Sequence, residues 1–439
     1  MSEASAALGR AVAAHSGPLL FIGECPSRLE KRLLDDCIDA DSECDAISIP
    51  HNSNVSNGSL FWDVAPDGTP LDAAMAARRR DLEPLLEITQ HKGDSECRAG
   101  DDPLCDFETV GFSVVAGHAS SMFSDPIPPG VYFREALLDG ILKRETLGVN
   151  PYRLGAIGAT DTHLGTPGLV DEENFVGHAA GTITARMQIP ALPDHPAWNP
   201  GGLAVVWAEE NSRDSLFDAM KRREVYATSG PRIVVRMFAG WDFEESLCES
   251  PTLAEQGYRG GVAMGGELGA LGDAPPGATP NLIVSALRDP GTAGHEGAPL
   301  ERIQIIKGWV VDGQTRVRVY DVAGSAPDSE AADSPVNLET CEPLQSGANQ
   351  LCTVWRDPDF DAATEAFYYA RVVEVPTCRW SWHACSEAIA RGEVNCDAIL
   401  PPRGLLAACC DEELPKLIRE RAWTSPVWYS PRASALPAD

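Results

Sequence analysis

Short apolar runs that stop at a polar or turn-forming residue recur along the first half of the chain, and their spacing predicts strands alternating with helices. Ala46-Ile-Ser-Ile-Pro50 predicts a strand that delivers His51. Pro84-Leu-Leu-Glu-Ile-Thr-Gln90 predicts a second, which runs into His91 and Lys92, and Leu154 to Thr160 a third, which ends at Asp161 and His163. Leu29 to Cys37 and Leu71 to Asp81 have helical patterns. Val131 to Leu147 is the clearest helix, with Phe133, Leu137, Leu138, Ile141 and Leu142 on one face. Leu203 to Ala208 predicts a further strand, followed by a helix to Arg223 with Asn211 as N-cap and then a strand over Val225 to Pro231. Such alternation argues for an α/β layer or barrel with parallel strands.

Beyond Arg232 the pattern changes. Ile233 to Phe238, Leu282 to Leu287, Ile303 to Trp309, Val317 to Val322 and Phe367 to Val375 are strand-like, separated by turn-rich loops, with little helix before Glu412. This predicts an antiparallel β-sandwich-like domain. Gly257 to Gly277 reads as a loop, because no helix follows it to make a phosphate cradle. Two units are expected: residues 1–231, α/β, and residues 232–439, β-rich with a Cys-rich insert.

Parallel strands carry their C-terminal ends to one face, where α/β barrels do their chemistry. Asp161 and His163 sit two apart in extended chain and so point to the same side. A carboxylate with an imidazole suits zinc, manganese or iron, and His51, at the end of another strand, completes a candidate divalent-metal set of His51, Asp161 and His163. Glu87, His91 and Lys92 are the candidate catalytic groups. Glu87 lies inside a strand, where a buried carboxylate needs a partner or a metal, and His91 and Lys92 could face a phosphate. His118, His178, His195, His295 and His383 read as structural. The chain has no Gly-x-Ser-x-Gly elbow and no cysteine in an activating setting, which leaves metal-assisted hydrolysis.

Charge narrows the partners. With 65 acidic against 35 basic residues the formal charge is -30, a field that repels phosphate backbones and anionic headgroups. No nucleic acid is expected, and no apolar run approaches the ~20 residues of a membrane span. The basic triplets Arg78 to Arg80 and Lys221 to Arg223 read as helix ends. The 13 cysteines include no Cys-x-x-Cys pair and cluster in acidic, loop-like sequence, so disulfides and export to an oxidising compartment are expected, with one thiol left over. Met1 to Gly17 lacks the apolar stretch of a signal peptide. The Asn-x-Ser sequons at Asn54 and Asn57 read as chance.

Several blocks occur together and in order: Ile49-Pro-His51-Asn-Ser-Asn-Val-Ser-Asn-Gly58, Glu87-Ile-Thr-Gln-His-Lys-Gly-Asp-Ser-Glu96, Thr160-Asp-Thr-His163, Trp207-Ala-Glu-Glu-Asn211, Tyr226-Ala-Thr-Ser-Gly-Pro-Arg232 and Glu420-Arg-Ala-Trp-Thr-Ser-Pro426. From about Leu29 to Tyr429 the chain resembles the bacterial domain-of-unknown-function family 3604. That family in turn resembles the polymerase-and-histidinol-phosphatase (PHP) metallohydrolases. The resemblance implies a partial, distorted (β/α)7 barrel ahead of the β-rich domain, and hydrolysis of a small-molecule phosphoester at a metal site. It implies that His51 is a ligand placed after a strand and that Asp161 and His163 are the terminal Asp-x-His pair. PHP proteins begin with a His-x-His strand, which this chain lacks, so the N-terminal part of the family's chain is expected to be missing. The alternative expectation is a non-catalytic exported binding or scaffold protein that holds one structural metal or none.

Overall fold

A computed structural model of the chain describes residues 45–51, 53–56, 58, 60–65, 68–109, 131–178, 192–194, 196–269, 277–292, 296–324, 335–398 and 404–431. The helix expected over Leu29 to Cys37 lies outside them, as do His118, His195 and His295.

Asp72 caps α1 (Ala73–Leu82), its carboxylate accepting from the Met75 N–H at 2.8 Å. β1 (Leu85–Gln90) follows with every residue buried, and the chain turns back through β2 (Gly93–Asp94). α2 (Phe133–Leu147) has Glu135 accepting from the N–H groups of Val131 and Tyr132 at the helix start, and it stops at Gly148, whose φ of 77° is left-handed. β3 (Gly155–Gly158) then lies parallel to β1, with β2 antiparallel on the other side. The strand expected over Ala46 to Pro50 forms no ladder. It is tied to its neighbours by single bonds, Ser48 N–H to the Leu82 carbonyl at 2.7 Å and Glu87 N–H to the Pro50 carbonyl at 3.0 Å, and Pro50 has no N–H with which to continue pairing.

β4 (Leu203–Val206), α3 (Arg213–Lys221) and β5 (Val225–Thr228) come next. The cap of α3 is Ser212 rather than Asn211, its hydroxyl accepting from Ser215 N–H at 3.3 Å. β4 and β5 pair antiparallel with each other, so among the described residues of this half of the chain the expected parallel arrangement is confined to β1 and β3. Alternation of elements sets their type, but direction depends on which distant strand a run meets, and β5 meets one near the C-terminus.

The remaining elements are β6 (Val234–Gly240), α4 (Leu253–Gly260), β7 (Gly261–Ala263), β8 (Glu267–Leu268), β9 (Asn281–Leu287), β10 (Leu300–Val311), β11 (Gln314–Gly324), β12 (Gln350–Arg356), β13 (Ala366–Glu374), β14 (Thr377–Cys378), α5 (Trp380–Ala390), β15 (Leu417–Ile418), β16 (Arg421–Thr424) and β17 (Val427–Tyr429). Two helices therefore stand where little helix was expected. The glycine-rich segment expected as a loop begins inside α4 and supplies β7 and β8. Gly257 is there for contact, since a Cβ would meet the Phe238 ring at 2.5 Å.

Eight strands form one sheet, in the order β11-β10-β13-β16-β5-β4 with β17 and β8 attached beside β13, and β12-β9-β6-β7 form another. Val235, Met237, Leu282 and Val284 of the smaller sheet share one core with Ile303, Ile305, Tyr368 and Val372 of the larger. The fold is thus mixed α/β with several sheets. Among the described residues five disulfides, Cys97–Cys105, Cys248–Cys352, Cys341–Cys378, Cys385–Cys409 and Cys396–Cys410, mark a protein suited to an oxidising compartment. Among the described residues no helix is long and apolar enough to cross a membrane.

The three-stranded sheet β2-β1-β3 is fastened to the eight-stranded one by charge. Glu96, fully buried after β2, accepts from Arg371 of β13 at 2.9 Å, Arg134 of α2 at 2.8 Å, the Tyr369 hydroxyl at 2.6 Å and Trp423 Nε1 of β16 at 2.7 Å. Asp102, inside the Cys97–Cys105 loop, takes the free arms of both arginines, at 2.9 and 3.0 Å. Burial opposes ionisation of Glu96, but Arg371 and Arg134 outweigh it and hold the carboxyl far below its usual range.

Candidate functional site

β1 and β3 run in register from Leu85 opposite Gly155 to Thr89 opposite Gly158, with an irregularity between Glu87 and Thr89. Their ends therefore deliver Gln90 and His91, and Thr160 and Asp161, to one edge. β3 can lie this close to the large sheet only because Gly158 has no side chain: a Cβ would meet the carbonyls of Leu203 and Thr228, each at 2.9 Å.

His91 is fully buried, and its Nδ1 lies 3.1 Å from the Thr160 carbonyl. A carbonyl only accepts, so Nδ1 carries the proton and Nε2 holds the lone pair. That Nε2 is buried without a hydrogen-bond partner. His178 repeats the arrangement in mirror form. It is 1% exposed, its Nε2 donates to the Asn199 carbonyl at 3.2 Å, and its Nδ1 is buried without a partner. The two rings lie 4.7 Å apart, between Trp198 on the His91 side and Phe175 on the His178 side, each ring 5.0 Å away. Burial, then the Lys92 charge and the neighbouring His178, push the His91 imidazole well below its usual range, and burial pushes His178 down to about 4. Both rings are neutral at pH 7.

Asp161 closes the group. Its φ of 52° places a non-glycine residue in left-handed backbone, a strain that is tolerated mainly at functional positions. Its carboxylate accepts from Lys92 Nζ and, at 3.4 Å, from Gln90 Nε2, and lies 3.6 Å from His91 Nδ1. Burial works to raise this carboxyl, but the charge and hydrogen bond of Lys92 and then His91 leave it below the usual range. Gln90 also fixes Lys92, its Oε1 accepting the Lys92 N–H at 2.8 Å. Asn54 borders the group: its Nδ2 donates to the Lys92 carbonyl at 3.2 Å and its N–H to Ser95 Oγ at 3.2 Å. Asn54 is buried, which fits the reading of its sequon as chance.

Of the residues singled out in the sequence, Asp161, His91 and Lys92 come together. Glu87 is buried within β1, lower on the strand. His163 is exposed, its Nδ1 2.9 Å from the Asp161 carbonyl and its N–H donating to the His178 carbonyl at 2.8 Å. His51 is exposed and leaves the fold beside Glu87. Among the described residues, two sets of three ligand-bearing side chains have donor atoms within 4.8 Å of one another: Cys341, Cys378 and His383, and Cys97, Asp102 and Cys105. In both the sulfurs form a disulfide, and His51, Asp161 and His163 are not such a set. Bare imidazole nitrogens occur instead at His91 Nε2 and His178 Nδ1. His178 was read as structural from the sequence, because it sits in a turn with no strand or spacing to mark it.

A model of the family described as "Protein of unknown function (DUF3604)" matches residues 23–431. No curated protein and no solved structure matches the chain.

Proposed function

The chain belongs to the DUF3604 family of proteins of unknown function, and from that premise we propose that it is a metal-dependent hydrolase of PHP type, a phosphoesterase acting at the ends of β1 and β3. The observation that carries this reading is the pair of buried, neutral imidazoles, each oriented by a backbone carbonyl and each with its other nitrogen bare. Metal-binding histidines are held in this way. His91 Nε2 and His178 Nδ1 would hold the ion, with Asp161 as a carboxylate that would have to shift to join them, since it lies 3.6 Å from the other nitrogen of His91 and the three are not, among the described residues, a set with donor atoms within 4.8 Å of one another. A bound Zn, Mn or Fe ion would polarise a phosphoryl oxygen and supply hydroxide near neutral pH. The protein's own part is electrostatic. Lys92, an ammonium paired with Asp161 in a strongly acidic protein, would meet the anionic substrate, Gln90 positions it, and Trp198 and Phe175 wall the imidazoles off from water.

A second reading, a non-catalytic exported binding protein, draws on the same lysine, which already neutralises Asp161 as an ion would. The two are separated by metal analysis of the purified chain and of a His91→Ala/His178→Ala double variant, with hydrolysis of p-nitrophenyl phosphate after loading with Zn, Mn or Fe. The hydrolase reading expects roughly one ion per chain or more, lost together with phosphatase activity in the double variant. A parent chain that takes up no ion, or a double variant that keeps it, rules it out.

A further inference from the structure

A cavity of about 380 Å³ lies between the segment Glu172 to Phe175 and α5. Its walls include Glu172, Glu173 and Phe175 on one side and Trp380, Glu387 and Arg391 on the other, with the Phe175 and Trp380 rings 4.9 Å apart. This is the size of a small-molecule pocket, and nothing in the proposed hydrolysis uses it.

The carboxyl of Glu172 is unusual. Its Oε2 accepts the Trp380 N–H at 2.5 Å, while its Oε1 is buried and has no hydrogen-bond partner. A buried carboxyl normally has a cation or a full set of donors. Neither nearby guanidinium serves. Arg379 gives its hydrogen bonds to Glu108, Ser381 and the carbonyls of Pro196 and Trp198. Arg391 is held by Glu387 at 3.0 Å and Glu393 at 3.1 Å. The cavity thus has an acidic wall in which one buried oxygen of Glu172 lacks a donor, beside two aromatic rings, in a protein of formal charge -30.

We propose that this cavity binds a small molecule through a protonated amine, which Glu172 accepts as its missing donor. A metal ion is the poorer occupant: among the described residues, no three ligand atoms of Glu172, Glu173, His383 and Glu387 lie within 4.8 Å of one another. An anion would meet the carboxylates. An ammonium joins a charge-assisted hydrogen bond to attraction by the aromatic walls.

The site is linked to protons. Burial raises the Glu172 carboxyl to about 8, Arg379 opposes this, and Glu108 and Asp171 add to it. Glu420, fully buried and itself raised by burial and then by Glu172, faces the same carboxyl. His383 in the cavity wall is lowered by burial, against the pull of Glu173, Asp171 and Glu387. An ammonium favours the ionised carboxylate, so amine binding releases a proton below pH 8.

The test is calorimetric titration of the full chain with phenethylammonium and its uncharged isostere 2-phenylethanol, with Glu172→Gln as the variant. Saturable binding of the amine is expected, at least about tenfold weaker in the variant and for the alcohol. In the parent chain, affinity is expected to rise by about tenfold per unit from pH 6 towards 8 and then level off, with a flat profile in the variant. Absence of saturable amine binding, equal binding of the alcohol, or a pH profile unchanged by Glu172→Gln would each overturn the proposal. The first two readouts need only the parent chain, so they stand whether or not the variant folds. None depends on a metal, so failure here leaves the hydrolase reading untouched.

Discussion

Two clusters of buried polar side chains flank the turn after β1, and they are completed in opposite ways. Around Glu96 the carboxylate is matched: both oxygens are filled, and Arg371 makes further bonds to Gln304 at 2.9 Å and to Asp102, while one oxygen of nearby Asp94 stays buried without a partner. Around His91 and His178 the bonds stop halfway. One nitrogen of each ring is anchored, the other is bare, and Asp161 is held in strained backbone. The two imidazoles are as dry as Glu96, so burial does not distinguish them. Completion does: a satisfied network holds sheets together, while an unsatisfied one keeps coordination capacity for something not in the chain.

The largest expected effect tests the completed cluster. Arg371→Ala leaves Glu96 and Asp102 as buried anions short of a cation and should cost about 3–5 kcal/mol in urea unfolding, without loss of metal binding. A loss below about 1 kcal/mol would mean that the cluster is not the fastening it resembles.

Glu172, the other incomplete acid, gives a pH test. Its folded-state affinity for protons is raised, so its contribution to stability is fully present below the ordinary glutamate range and is lost as pH rises through about 8. Glu172→Gln should therefore flatten the fall in stability between pH 5 and 9, with a gain of roughly 1–3 kcal/mol at the alkaline end. Parallel stability curves for parent and variant would break the assignment.

His178→Ala should cost less, about 1 kcal/mol, yet abolish metal retention. A cost comparable to that of Arg371→Ala would place His178 with the structural cluster and erase the contrast. The smallest change in stability is expected for Lys92→Met, within about 1 kcal/mol for a half-exposed pair. Freed of its ammonium, the Asp161 carboxylate should then bind Zn more tightly, as read by competition with a chelating dye. Weaker binding would make Lys92 part of the ion's site rather than its rival.

Much of the fold could be read from local pattern. The apolar runs at Leu85 to Gln90 and Gly155 to Gly158 became the parallel pair, and the stripe from Phe133 to Ile141 became α2. Where pattern was short or ambiguous the reading failed. Trp380 to Ala390 is helical although no clear stripe marks it, β12 had no expected counterpart, and β16 and β17 are strands buried on both faces whose partners lie far back in the chain. At the site, Asp161 and His91 were visible because they end apolar runs. His178 was not, because what makes it notable is a ring 4.7 Å away and a carbonyl at Asn199.

What the sequence determined by itself is the kind of element at each stretch, the acidic field, the cysteine chemistry and the presence of a carboxylate and imidazoles near strand ends, since all of these follow from composition and short-range spacing. Which strands pair, which imidazoles meet and which nitrogen of each is left bare were decided only in the tertiary structure. Those depend on backbone groups such as the Thr160 and Asn199 carbonyls, and every residue carries such a group, so no side-chain pattern can announce where it will be used.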